Sequence, residues 1–187
     1  MLYYITGNQN KIDTAKKYLS AFGVEFEGKK LDLIEEQTDS IEKVALFKAE
    51  QAFDQIRQPL FVNDSGWSIT ALNGFPGPLM KYINEWFTPQ DFLNLMKDRE
   101  NREVFLGEVV VYKDEKQTKV FTHQIKGVVL REVKGEGISS DCVISLSDTG
   151  KSIAQCQAEG IKSHDNQTLW QDFVKWYISR ATSGVAA

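Results

Sequence analysis

Leu2-Tyr3-Tyr4-Ile5-Thr6-Gly7-Asn8-Gln9-Asn10-Lys11 is the stretch whose reading decides the fold. Its first four residues form an apolar run of strand type, and a short polar loop follows. Beyond the loop Ile12, Ala15, Tyr18, Leu19 and Phe22 recur at helical spacing, and Gly23 supplies a C-terminal stop. A strand that breaks directly into a helix start is the opening unit of an α/β protein. It is also a favourable place to hold phosphate. The helix N-terminus exposes unpaired N–H groups and a partial positive charge, and Lys11 adds a full one.

Working outward, Val24 to Leu33 alternates as a strand, and Asp39-Ser40-Ile41-Glu42 reads as a capping box opening a second helix. The apolar face of that helix is Ile41, Val44, Ala45, Ala49, Ala52, Phe53 and Ile56, with Lys48 near its middle. Pro59 to Val62 is a continuous apolar run of central-strand type, ending in the turn-like Asn63-Asp64-Ser65-Gly66. Trp67 to Leu72 alternates again, and Asn73 to Pro78 is a rigid turn cluster. Thr88-Pro89 starts a third helix. Val104 to Tyr112 and Val120 to Leu130 predict a long antiparallel hairpin, while Cys142–Leu146 and Ser152–Cys156 predict two short strands. Gln167 to Arg180 predicts a closing helix with Leu169, Trp170, Phe173, Val174 and Tyr177 inward, followed by a frayed tail from Ala181 to Ala187. The expectation is one α/β domain over residues 1–187 with a mixed sheet.

The chain of 187 residues carries 42% hydrophobic and 26% charged residues, which suits a globular domain with a substantial core. A net charge of −4 argues against a general nucleic-acid binder, whose phosphate contacts demand a basic excess. No apolar run reaches the ~20 residues that span a bilayer, and the start shows no signal-peptide pattern. Cys142 and Cys156 read as core thiols in a reducing compartment, so the expected setting is cytoplasmic.

Three loops carry chemistry-bearing side chains. The first holds Thr6, Asn8 and Lys11; the second Glu35 and Glu36; the third Asp64, just past the apolar run. In open α/β sheets ligands bind beyond the carboxyl ends of the strands, where these loops belong. Glu35 and Asp64 are hard oxygen donors suited to Mg²⁺, which takes one or two carboxylates plus substrate phosphates and water. Lys11 and Lys48 face the phosphates in this reading. Singly, each residue has an ordinary explanation: a solvated loop for Glu35, a surface lysine for Lys48, a turn for Asp64-Ser65-Gly66, and a structural strand position for His123. Their joint placement at strand ends has none.

Thr6-Gly7-Asn8-x-x-Lys11, Asp32-Leu33-Ile34-Glu35, Lys48-Ala49, Asn63-Asp64-Ser65-Gly66 and Leu72-Asn73-Gly74-Phe75-Pro76-Gly77 together resemble the Ham1 family, the inosine triphosphate pyrophosphatases. Order and spacing run in register through residues 1–83, with an echo at Ser163-His164. The resemblance implies a long mixed sheet flanked by helices, two lobes around a central cleft, and a homodimer. It implies Mg²⁺-dependent hydrolysis of a nucleoside triphosphate to the monophosphate and pyrophosphate, clearing non-standard purine nucleotides. Thr6, Asn8 and Lys11 would hold the triphosphate, with Ser65, Gly66, Ser163, His164 and Asp165 as further substrate contacts. Glu35 and Asp64 would bind the metal. Asp64 would also orient or deprotonate the attacking water, and Lys48 would neutralise charge near the scissile phosphate.

The chain departs from that pattern where the base is read. Asn63 stands where the family usually has a second acid beside Asp64. The family's Gly-aromatic-Gly-aromatic-Asp-Pro loop appears only as Gly135-Glu136-Gly137-Ile138-Ser139-Ser140-Asp141-Cys142, without either aromatic. Glu159 replaces a lysine, and Ser163-His164-Asp165 replaces Ser-His-Arg, so a donor becomes an acceptor. Phe75, Trp67 and Trp86 are the other aromatics that could carry the base. These changes predict an altered base preference. The rival reading is a nucleotide-binding protein of the same fold that has lost turnover; a third is an unrelated Mg²⁺ phosphatase using the same carboxylates.

Overall fold

The first apolar run becomes β1 (Tyr3–Ile5), with Tyr4 and Ile5 both buried. A strand covered on both faces is a parallel-sheet strand. The computed structural model describes residues 1–183, with side chains as far as Arg180. Asn8 then caps α1 (Gln9–Leu19), its side chain accepting from the Asn10 and Lys11 N–H groups at 2.9 and 3.4 Å. The helix closes through a short 3₁₀ turn onto Gly23, whose φ of 69° is the left-handed stop the sequence anticipates.

Of the strand expected over Val24–Leu33, only β2 (Glu27–Lys29) pairs, parallel to β1. Ser40 caps α2 (Ile41–Ile56) by accepting from Lys43 N–H at 3.3 Å. The expected capping box does not form: with Ser40 as the cap, Lys43 occupies the position where a returning Glu would be needed. β3 (Leu60–Ile69) pairs parallel to β1. It does not end at Val62 as expected; Asn63, Asp64, Ser65 and Gly66 lie inside one continuous strand. Their turn-forming chemistry is overridden by the incorporation of β3 into the sheet, where β1 pairs just before them at Leu60 and Phe61 and β4 just after them at Trp67 and Ser68, a tertiary effect that local propensity does not register.

β4 (Pro76–Gly77) folds back antiparallel on β3. α3 (Met80–Trp86) forms where no helix was expected, and α4 (Pro89–Leu95) starts with the Thr88–Asp91 capping box. β5 (Glu103–Lys113) and β6 (Thr118–Val129) are the predicted hairpin, and β7 (Ile144–Ser145) pairs antiparallel to β6. The sheet order is β2-β1-β3-β5-β6-β7, with β4 on β3, making a seven-stranded mixed sheet.

The strand expected over Ser152–Cys156 is instead α5 (Ile153–Ala158). Ser152 and Gln155 cap it reciprocally at 3.1 Å each, and Ser152 Oγ also donates to Lys134 O at 2.6 Å. The Ser-x-x-Gln signature was present in the sequence, and the alternating pattern masked it. α6 (Gln167–Ser183) runs past the expected end, so residues 181–183 are helical; residues 184–187 of the predicted tail lie outside the described residues.

The chain forms two compact units. The first comprises Met1–Asp64, Glu108–His123 and the chain from Asn166 onward; the second comprises Ser65–Gly107 and Gln124–Asp165. In the first unit strand alternation sorts the core. Leu60, Val62, Val109 and Val111 meet Ala45, Ala49, Ala52 and Phe53 of α2 on one face. Tyr4, Phe61, Val110 and Tyr112 meet Ala15 and Leu19 of α1 and Leu169, Trp170, Phe173 and Val174 of α6 on the other. At about 1.5–3 kcal/mol per large apolar side chain buried, these two layers dominate the unit's stability. The second unit has its own core of Trp67, Ile69, Phe92, Met96, Val104, Leu106, Val129, Ile144 and Ile153.

Cys142 and Cys156 are buried and unpaired, as expected. Among the described residues no helix is long and apolar enough to cross a membrane.

Ser152 is fully buried and holds both the start of α5 and the Lys134 carbonyl. Ser152→Ala is expected to destabilise the protein by about 1–3 kcal/mol, read as a lower urea midpoint at unchanged slope.

Candidate active site

Asp64 continues the row of Leu60 and Val62 on β3, so its side chain stands on the face covered by α2. Lys48 is one turn along α2 from Ala45 and Ala52, and its Nζ lies 3.0 Å from Asp64 Oδ2 and 3.0 Å from Glu35 Oε1. Glu35 itself sits on an irregular segment, yet that segment is tied to α2. Gln51 accepts from the Ile34 N–H at 3.0 Å and donates to the Ile34 carbonyl at 2.8 Å, and Gln55 donates to the Asp32 carbonyl at 3.3 Å. Lys48, Gln51 and Gln55 thus form one helical stripe that carries the base and secures the acid.

From the other side, Lys11 in the first turn of α1 donates to the Asn63 carbonyl at 2.7 Å and lies 3.9 Å from Asp64 Oδ1. Asp64 is flanked by two ammonium groups, one from each helix. Its Oδ2 is buried and makes no directed hydrogen bond, so its contact with Lys48 is an ion contact. Burial pulls the Lys48 ammonium down, and Asp64 and Glu35 outweigh it and hold the group above the ordinary lysine value. For Lys11 burial wins: it stays below the ordinary value despite the pull of Asp64, with Lys48 adding to the depression.

Thr6 and Asn8 build the loop at the head of α1. Thr6 Oγ1 accepts from the Asn8 N–H at 3.1 Å, and Asn8 Oδ1 takes the cap bonds already described. Asn63 donates its side-chain amide to the Val109 carbonyl at 3.0 Å, a commitment to the sheet on the opposite side from Lys48. The first unit therefore brings together Thr6, Asn8, Lys11, Glu35, Lys48 and Asp64 as the sequence predicts. Among the described residues no group of three or more His, Cys, Asp or Glu side chains is gathered to hold a metal; the carboxylates here are a pair.

The remaining predicted contacts belong to the second unit. Ser65 and Gly66 continue β3, with Gly66 buried. Ser163 Oγ and His164 Nδ1 are 2.9 Å apart, and Lys162 donates to Asp165 Oδ1 at 2.6 Å. Glu159 pairs with Lys151. Burial, reinforced by Lys162, pushes the His164 imidazole below its ordinary value. Of the candidate aromatics, Trp67 and Phe75 pack in or against the core, while Trp86 is 70% exposed.

Sequence reading missed three features: the Gln51 and Gln55 clamp, the Asn63 carbonyl as the seat of Lys11, and the buried Glu108 on β5. The helical spacing of Lys48, Gln51 and Gln55 was a usable signal for the first. For the last there was none, since an isolated acid in a strand reads as a solvent-facing position.

The Ham1 family model matches residues 2–167, and the chain belongs to that family. A dITP/XTP pyrophosphatase from Methanopyrus kandleri is 34% identical over 178 residues, covering 93% of this chain and 94% of that protein. One from Thermococcus kodakarensis is 32% identical, covering 94% of this chain and 96% of its own length. The solved structure of a HAM1 protein from Coxiella burnetii superposes with a TM-score of 0.79 at 18% identity, over 96% of this chain and 98% of that one. That likeness establishes the shared mixed α/β fold.

His164 is held neutral by its surroundings, so protonation works against the folded state. Stability is expected to fall as pH drops through the ordinary imidazole range, and the His164 ring is expected to titrate below that range. An NMR titration of the two histidine rings, assigned with His123→Gln, checks it.

Proposed function

We infer that this chain is a Mg²⁺-dependent nucleoside triphosphate pyrophosphatase, hydrolysing NTP or dNTP to NMP and pyrophosphate with a base preference altered from that of its relatives. The observation that carries the reading is the cluster in which Lys48 Nζ stands 3.0 Å from both Glu35 and Asp64, with Lys11 on the far side of Asp64. Family membership and the names of the relatives support it.

The donor set fits the metal. Two carboxylates that converge on one cation, one with a buried oxygen lacking a directed hydrogen bond, suit an ion that completes its shell with phosphate and water. Glu35 and Asp64 would hold it, and when bound it supplies charge neutralisation to the phosphates and the leaving pyrophosphate. The residues of the chain do the rest. Lys11 and the α1 N-terminus, shaped by Thr6 and Asn8, bind the phosphate chain. Lys48 neutralises charge near the scissile bond. Asp64 orients a water toward the α-phosphorus and accepts its proton as the bond from the α-phosphorus to the bridging oxygen breaks. Phosphoryl transfer needs little beyond such positioning and charge.

Ser65, Gly66, Ser163, His164 and Asp165 complete the substrate contacts in this reading. Acceptors at Asp165 and Glu159, where the family has cationic donors, favour a base edge bearing N–H groups; each is also paired with a lysine, which tempers its pull. The setting is cytoplasmic, in keeping with two buried unpaired thiols. The assembly is a homodimer, for which the exposed Tyr82 and Trp86 of α3 offer apolar surface. Light scattering at about twice the chain mass of 21.2 kDa checks it; a monomer at micromolar concentration would remove the dimer from the reading.

The deciding experiment is hydrolysis of standard and deaminated NTPs and dNTPs with Mg²⁺, products resolved by chromatography. Monophosphate plus pyrophosphate is expected, abolished by EDTA and reduced at least about a hundredfold in Asp64→Asn. Orthophosphate release would point to terminal attack and a different enzyme. Binding without turnover would favour the non-catalytic reading, which the commitment of Asn63 to the Val109 carbonyl motivates.

A further inference from the structure

Glu108 is a buried carboxylate with an unmet half. It begins the row Glu108, Val110, Tyr112 on β5, whose apolar members pack with Tyr4 and Phe61 under α1 and α6. Only 8% of the residue is exposed. Oε1 accepts from Asn166 Nδ2 at 3.3 Å, and Asn166 in turn accepts from the Tyr18 hydroxyl at 3.1 Å, which fixes the amide so that its N–H side faces Glu108. Oε2 has no partner, and neither does the buried Tyr4 hydroxyl, which feels both Glu108 and Asp64. An unsatisfied buried carboxylate oxygen is destabilising, so its presence here asks for a partner.

Two neighbours say what the group faces. Lys11, the phosphate-holding lysine of α1, lies close enough to act on Glu108 electrostatically, as does His123 from β6. Asn166, which anchors Glu108, is the residue directly after Ser163-His164-Asp165. Glu108 therefore neighbours the phosphate anchor and is bonded to the residue that follows the base segment in the chain. Burial raises its carboxyl above the ordinary value, and Asn166, His123 and Lys11 each pull it back toward the ionised form.

We propose that Glu108 is a specificity-determining residue whose Oε2 accepts a hydrogen bond from the nucleoside part of the substrate, selecting nucleotides that present an N–H or hydroxyl donor there. Rotation about the terminal torsion, which is broad for Glu, brings either oxygen to the donor. A nucleotide lacking the donor leaves the carboxylate unpaired, and that mismatch is what discriminates. The donor is the N1–H or 6-amino group of the base or the 2′-hydroxyl of the ribose. The inference rests on the nucleotide reading of the site.

The test compares wild type, Glu108→Gln and Glu108→Ala on ITP, ATP, dATP and purine riboside triphosphate, which has neither a 6-amino group nor an N1–H. In wild type one ratio of kcat/KM, ITP or ATP over purine riboside triphosphate, or ATP over dATP, is expected to be large. In Glu108→Ala that ratio falls roughly 10- to 100-fold, as for loss of a hydrogen bond to a charged group. A fall in the first ratio places the donor on the base, and a fall in the second places it on the sugar. Variants in which all four nucleotides weaken together, both ratios standing at their wild-type values, would overturn the proposal and leave Glu108 a structural residue. Dissociation constants for the matching non-hydrolysable α,β-methylene nucleotides give the same ratios without turnover. Failure of the pyrophosphatase reading is thereby separated from failure of this one.

Discussion

Everything in the first unit depends on the strict alternation of β3. Because successive side chains leave a strand on opposite faces, Phe61 enters the layer under α1 and α6 while Leu60 and Val62 enter the layer under α2. Asp64 extends the second row, so it emerges beside Lys48 without any loop to aim it. A slip of one residue in this strand would exchange the faces, put Phe61 against α2 and carry Asp64 away from both lysines. The dense apolar packing around Leu60 to Val62 therefore serves the chemistry directly, since the energy that fixes the register also fixes the acid.

The charges around Asp64 are balanced before any ligand arrives. Two carboxylates and two ammonium groups interleave, each acid within 4 Å of a lysine. A buried charge with no counter-charge is costly, and each of these four has one. The pairing also separates the two lysines in character. Lys48 is held above its usual affinity for protons, because Asp64 and Glu35 outweigh its burial, and Lys11 below it, because its burial outweighs the acids around it.

Much of this was legible in the sequence, for reasons that can be named. The apolar run before Thr6-Gly7-Asn8, the Gly23 stop, the faces of α2 and α6, and the β5–β6 hairpin are periodic signals long enough to dominate local noise. The charge cluster was legible because Lys11 opens α1 directly after β1, Lys48 lies on the patterned helix α2, and Asp64 follows the apolar run of β3. What failed was short or contradictory. Asn63-Asp64-Ser65-Gly66 has turn chemistry, and the strand pairing that flanks it overrode it. Ser152 to Cys156 alternates weakly, and a cap decided for helix. α3 is only seven residues long and begins without a side-chain cap, so it sends no start signal. Glu108 was passed over because an isolated acid in a strand reads as a solvent-facing position, and only the packing of α1 and α6 shows that it is enclosed.

The Gln51 side chain meets the Ile34 backbone as a peptide group would, donating to its carbonyl and accepting from its N–H. A helix thereby offers one rung of a β-ladder to a segment that has no strand partner there. The consequence is mechanical. Glu35 is joined to the same rigid rod that carries Lys48, so a displacement of α2 moves acid and base as one body. The tether thus keeps the acid in step with the helix that carries its cationic partner.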